Sequence, residues 1–174
     1  MRTSIETERL LLRELQPSDD IGMFELDSNP AVHTYLGKNP VTDIEQVREI
    51  IANIRQQYLE NGIGRWAVIL KETGEFIGWT GLKRSKNVNG HDIYYDLGYR
   101  FIEKHWGKGY AYETAKAFVD FGFNEMKLEK INAYADFDNF ASRKVLEKAG
   151  MHFVNFFDED GVQQAWYEIK NPNN

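Results

Sequence analysis

No cysteine occurs among the 174 residues of this chain. Disulfides, thiolate zinc sites and a cysteine nucleophile are thereby excluded, which narrows the catalytic menu. Long apolar runs are missing too. No stretch approaches the roughly 20 residues that a membrane span needs, and Arg2-Thr3-Ser4-Ile5-Glu6 does not form the apolar core of a secretion signal. A cytoplasmic protein without a membrane partner is therefore expected. The chain also lacks net positive charge: its formal value is −6, which argues against nucleic-acid binding by bulk charge and suits a cationic partner such as an amine. His33, His91, His105 and His152 are scattered, with neither HExxH nor another metal-ligand spacing, so no metal is expected. Internal repeats and low-complexity segments are absent, which excludes solenoid architectures.

What is present is enough for a folded core. Hydrophobic residues make up 42% of the chain and aromatic residues 14%. Nothing in the composition marks a boundary, so residues 1–174 are read as one domain. Arg9 to Leu15 has the character of a first strand, and Pro17-Ser18-Asp19-Asp20 supplies turn and cap chemistry for a short helix that ends before Asn29-Pro30. Thr42 and Glu45 make a capping box for an amphipathic helix carrying Ile44, Val47, Ile50, Ile51, Ile54 and Tyr58, stopped by Asn61-Gly62. The period then changes. Trp66–Leu70 and Phe76–Leu82 form two strands joined through Thr73-Gly74-Glu75, and after a turn at Asn87–Gly90 the stretch Asp92–Phe101 forms the next. A helix follows from Ala111 to Met126, then a strand at Ile131–Ala135, a helix at Asn139–Ala149 stopped by Gly150, and two strands around Asp158-Glu159-Asp160-Gly161. This order predicts a mixed α/β or α+β layout rather than a doubly wound one.

The most informative stretch is Trp106-Gly107-Lys108-Gly109-Tyr110-Ala111, between the fourth strand and its helix. Two glycines let the backbone approach a ligand closely, and the first N–H groups of a helix lack internal partners and carry the positive end of its dipole. An anion such as a pyrophosphate satisfies them. Arg100, Lys104, His105 and Lys108 surround the turn as a local cationic cluster on an acidic chain. The spacing matches neither a P-loop nor G-x-G-x-x-G, and the turn lies past mid-chain, where a dinucleotide fold does not place it.

This element order, with Trp106, Gly109 and Ala111 on the marked positions of a Q/R-x-x-G-x-G/A motif, resembles the GNAT superfamily of N-acetyltransferases. Trp106 stands where that motif has Gln or Arg. Together with Glu6-Thr7-Glu8-Arg9-Leu10 and the run Asn139 to Met151, it is similar to the branch that includes the ribosomal-protein-alanine acetyltransferases. The resemblance covers nearly the whole chain. It implies a central, mostly antiparallel sheet of about seven strands, splayed between the fourth and fifth, with helices on both faces.

It also implies acetyl-CoA as donor and a primary amine as acceptor, joined by direct attack in a ternary complex. The acceptor could be the N-terminal amine of a protein such as a ribosomal protein, or a small polyamine, amino acid or drug. A module that binds acyl-CoA without turnover is the reading of another class, and the resemblance admits a homodimer. By position, the edge Gly98-Tyr99-Arg100-Phe101 would pair with the pantetheine arm, a backbone N–H near Tyr99 or Arg100 would hold the thioester oxygen, and Lys108 with the N–H groups of Trp106, Gly107, Gly109, Tyr110 and Ala111 would hold the pyrophosphate. Asp96 falls where related sequences carry a base for the amine. Asn139 reads as a helix cap contributing about 1 kcal/mol and, by resemblance, as a pantetheine contact. Ser142 is the residue expected to stabilise the leaving thiolate, with Tyr134 as the alternative. Trp66, Trp79, Tyr94, Tyr95 and Trp166 would line the acceptor pocket or pack the core.

Overall fold

The computed structural model describes residues 1–174. In chain order the elements are strands β1 (Ser4–Glu6) and β2 (Leu10–Glu14), helices α1 (Asp20–Asp27) and α2 (Ile44–Asn61), strands β3 (Trp66–Leu70), β4 (Phe76–Val88) and β5 (His91–Phe101), helix α3 (Tyr110–Asn124), strand β6 (Lys130–Asp136), helix α4 (Phe140–Lys148) and strands β7 (His152–Glu159) and β8 (Val162–Lys170). The strands form one sheet in the order β1-β2-β3-β4-β5-β6-β8-β7.

Every neighbouring pair is antiparallel except β5 and β6, which run parallel and meet in register at a single pair, Asp96 and Asn132. Beyond that point each strand is held on its far side only: β5 by β4 as far as Phe101 opposite Gly78, and β6 by β8 as far as Asp136 opposite Gln164. The two facing edges therefore diverge into a wedge, and the splay expected between the fourth and fifth strands of the sequence analysis lies here.

Helices cover both faces. Phe118, Phe121 and Ala115 of α3 and Leu146 of α4 share one apolar core with Leu82, Leu97, Phe101 and Ala133. Trp66 anchors it, its ring edge-on to Phe118 at 5.2 Å. Met23 and Leu26 of α1 and Val47 and Ile51 of α2 form a second core against Leu15, Ala67 and Ile69. Alternation along the central strands makes both layers, since successive side chains point to opposite faces.

Three local details differ from the sequence expectation. The sheet has one strand more than about seven, because Ser4–Glu6 pairs with β2; with only Ile5 buried, three residues are too few to show a period. The N-cap of α2 is Asp43, whose carboxylate accepts from Glu45 N at 2.8 Å while Gln46 Oε1 accepts from Asp43 N at 3.1 Å. A second cap-competent residue directly after Thr42 moves the start by one. The β4–β5 hairpin is longer than the apolar alternation shows, since the outer half of β4 is mostly exposed and polar, and it closes at Asn89 and Gly90, both at positive φ (46° and 76°), as a tight two-residue turn requires.

Candidate active site

After β5 the chain makes a one-turn 3-10 helix at Glu103–His105, and then Gly107 and Gly109 take left-handed conformations with φ of 73° and 83°. These angles explain why glycine stands at both positions. Trp106 N donates to Glu103 O at 3.0 Å, whereas the N–H groups of Gly107 through Tyr112 have no acceptor in the protein. The run of free amides thus begins one residue later than expected and extends one further, into the first turn of α3. The Trp106 indole folds back so that Nε1 donates to Phe101 O at 2.7 Å, and the ring stays 47% exposed beside the turn.

The expected cationic cluster divides. Arg100 is bound to Asp27 at 2.7 Å, Lys104 to Glu75 at 3.1 Å, and His105 is buried with Nε2 3.1 Å from Glu75. Alternation along β5 and the 3-10 turn carry these three toward carboxylates elsewhere. Lys108 alone of the four has no carboxylate beside it. The cation that replaces them is Arg9, which sequence reasoning connected to the family but not to this turn. Arg9 Nη1 donates to Lys108 O at 2.8 Å, its guanidinium lies 4.4 Å from the centre of the Tyr110 ring, and its Nε bonds Glu113 Oε1 at 2.8 Å. Glu113 Oε2 also accepts from Thr7 Oγ1 at 2.6 Å and Arg9 N at 3.0 Å. Although burial opposes it, these hydrogen bonds and the Arg9 charge hold the Glu113 carboxyl below its usual value. The Thr7-Glu8-Arg9 segment is therefore a clamp that fixes the mouth of α3.

In the wedge, Asp96 is 9% exposed and its carboxylate accepts from Arg65 Nη2. Arg65 Nη1 donates at 2.6 Å to the carbonyls of Gly81 and Asp96, and its plane lies 5.3 Å from the Trp79 ring. A Cβ on Gly98 would sit 2.8 Å from Arg65 Nη2, so the strand glycine makes room for the guanidinium. Burial pushes the Asp96 carboxyl up, and Arg65 opposes that by charge and hydrogen bond. No periodicity or motif marks Arg65, which precedes β3 in an irregular segment.

On the other side of the wedge, Asn139 caps α4, its Oδ1 accepting from Ser142 N at 3.2 Å. Ser142 Oγ lies 2.9 Å from Tyr99 Oη, where either hydroxyl can donate, and Ser142 O lies 3.2 Å from Tyr99 Oη as a second acceptor for its hydrogen. Tyr99 and Phe101 point into the α3–α4 core, while Arg100 points to the opposite face. Tyr134 is separate from Ser142: its neighbours Ala133 and Ala135 face the α3–α4 core, whereas its own ring stacks 6.0 Å from Trp166 and its hydroxyl donates to Glu159 at 3.4 Å. Burial, then the charges of Asp96 and Glu159, push Tyr134 up. Trp66 and Trp166 are core residues, and Tyr94 packs on Trp166 at 5.0 Å. Trp79 lies between Arg65 and Arg100.

Residues 9–152 match the family model for the acetyltransferase (GNAT) domain. The uncharacterized N-acetyltransferase p20 of Bacillus licheniformis is 37% identical over 168 residues, covering 96% of this chain and 89% of that protein. An acetyltransferase of the GNAT family from Bacillus anthracis superposes with a TM-score of 0.79 at 29% identity, covering 97% of this chain and 98% of the other. The ribosomal-protein-S5-alanine acetyltransferase of Vibrio fischeri shares the fold, with a TM-score of 0.80 at 17% identity over 99% of this chain and 98% of its own.

Proposed function

The chain belongs to the GNAT acetyltransferase family, and from that premise we propose that it transfers the acetyl group of acetyl-CoA to the N-terminal α-amine of a protein or peptide by direct attack in a ternary complex. The family uses acetyl-CoA, and the residues present suit it. The free amides of Gly107 through Tyr112, with Lys108 beside them, are donors for a diphosphate. The free edge Gly98–Phe101 can pair with an extended amide-bearing arm as an added strand would, and the wedge supplies the room. Asn139 lies across from that edge for a further contact. When bound, acetyl-CoA supplies an activated thioester.

The residues of the chain then have three tasks. Asp96 takes the surplus proton of the amine, directly or through one water. A backbone N–H near Tyr99 or Arg100 holds the oxyanion. The Ser142 hydroxyl stabilises the departing thiolate; with an ordinary high pKa it is a hydrogen-bond donor rather than an acid.

The observation that carries the choice of acceptor is the Arg65–Asp96 pair. Burial raises the Asp96 carboxyl against the opposing Arg65 charge, yet a carboxylate remains a far weaker base than an alkylamine, so the amine should be one that gives up its proton readily. An α-amino group, with a pKa of about 7.7–8.0, is neutral in roughly one molecule in ten at pH 7, whereas an alkylammonium near 10.4 is neutral in fewer than about one in a thousand. The acidic end of β7, with Asp158 and Asp160 exposed and Glu159 half-buried beside Tyr134, suits a basic peptide.

Thiol release from acetyl-CoA, measured at pH 7 across N-terminal peptides, amino acids, lysine side chains and polyamines, tests this. Peptide α-amines should give the highest kcat/KM. Release driven by polyamines alone would overturn the acceptor class. Tight binding of acetyl-CoA without acceptor-dependent release would make the protein a binding module instead.

A further inference from the structure

The Tyr99 side chain has no role in the scheme above, which uses only the backbone at that position. Its hydroxyl nevertheless crosses from β5 to α4 and is the one partner of Ser142 Oγ, at 2.9 Å. A helical serine can turn its hydrogen toward the carbonyl three or four residues back. Ser142 Oγ makes no such bond here. One hydroxyl has one hydrogen to give and lone pairs to receive, so what approaches the oxygen decides where the hydrogen points.

We propose that Tyr99 is a positioning residue for acetyl transfer: by donating its phenolic hydrogen to Ser142 Oγ it frees the serine hydrogen to point at the departing sulfur. This rests on the assignment of Ser142 to the thiolate. Tyr99 has a second acceptor, Ser142 O, at 3.2 Å. The shorter contact to Oγ and the charge that appears on sulfur both favour the chain Tyr99 O–H to Ser142 O–H to S⁻, in which each bond strengthens the next. Burial pushes the Tyr99 hydroxyl up to about 12, so it keeps its hydrogen at any working pH. The pairing of β5 with β4, Tyr99 opposite Thr80, fixes the strand from which the ring projects.

In the reaction, the nitrogen lone pair forms the N–C bond and the electron pair of the C–S bond leaves on sulfur. The surplus proton of the amine leaves through Asp96 to solvent. Sulfur keeps its charge against the Ser142 hydrogen until solvent protonates it, and no proton leaves Tyr99.

Single-turnover thiol release at saturating acetyl-CoA, with Tyr99→Phe, Ser142→Ala and the double variant, tests the assignment. Tyr99→Phe keeps the ring and removes only the hydroxyl. The rate should fall about three- to tenfold, with KM for acetyl-CoA within twofold, and the double variant should be no slower than Ser142→Ala. A normal Tyr99→Phe rate beside a slow Ser142→Ala would overturn the role of Tyr99 alone. A normal rate for Ser142→Ala would remove the serine assignment and this one with it. Multiplicative losses in the double variant, or a raised KM at an unchanged rate, would show that Tyr99 acts independently or only in packing.

Discussion

Asp96 and Arg65 bury their charges together, each side chain 12% exposed, and removing one leaves the other without compensation. Asp96→Asn is nearly isosteric, so it separates chemistry from shape. Turnover should fall at least about tenfold, with KM for acetyl-CoA within about threefold, because the substitution removes a proton acceptor and leaves the donor site alone. The unpaired Arg65 should also lower stability by about 3 kcal/mol in a denaturant titration. A wild-type rate in the folded variant would remove Asp96 from the mechanism. Family resemblance suggested Asp96, at the place before Gly98 where related sequences carry a base, but Arg65 left no trace, since it lies 31 residues away in an irregular segment. A glycine inside a strand was the nearest signal, because it marks the close approach of another group. Tyr99 was hidden for a similar reason. Alternation assigns its face but not a hydroxyl contact to a helix 43 residues later.

The unit formed by β5, the glycine turn and α3 depends on a clamp from the start of the chain. Glu113 joins Thr7 and Arg9 to the first turn of α3. Its folded pKa is depressed below the ordinary 4.5, so its stabilisation is fully present above that value and is lost as pH falls through the depressed one. Glu113→Gln should therefore cost about 1–2 kcal/mol at pH 7, and the difference from wild type should shrink below about pH 4.5. Unfolding curves at pH 7 and pH 3.5 check this, and an equal difference at both would contradict it. At this scale the sequence was informative where a residue type admits few uses. Gly62 stops α2 with φ of 72° and Gly150 ends α4 with φ of 99°, both as their positions predicted. It was ambiguous where two residues compete, as Thr42 and Asp43 do for one cap. It was silent for β1, whose partner strand supplies the order that three residues cannot.

Across the whole molecule, the order of elements was legible because the hydrophobic period switches cleanly between helix and strand. The wedge was not, except through family resemblance: a parallel pair that meets at one residue leaves no pattern in either strand. Neither helix layer holds the cradle by itself. The sheet positions β5, the wedge opens between β5 and β6, and Arg9 ties the outer strands to the mouth of α3. No helix is long and apolar enough to cross a membrane. The unpaired amides of Gly107 through Tyr112 are the proposed seat of the acyl donor's diphosphate, and the rest of the scheme depends on them. Titrating isotope-labelled protein with coenzyme A while following its amide resonances tests this seat most directly, with Gly109→Glu as the paired variant. That substitution sets a carboxylate in the cradle at a left-handed residue, at a cost of about 1–2 kcal/mol in backbone strain. In the wild type the largest shifts should fall on residues 107 to 112 and on the free edge at 98 to 101, and in the folded variant the affinity should drop at least about tenfold. Binding that leaves those amides unmoved, or that survives Gly109→Glu unchanged, would contradict the account.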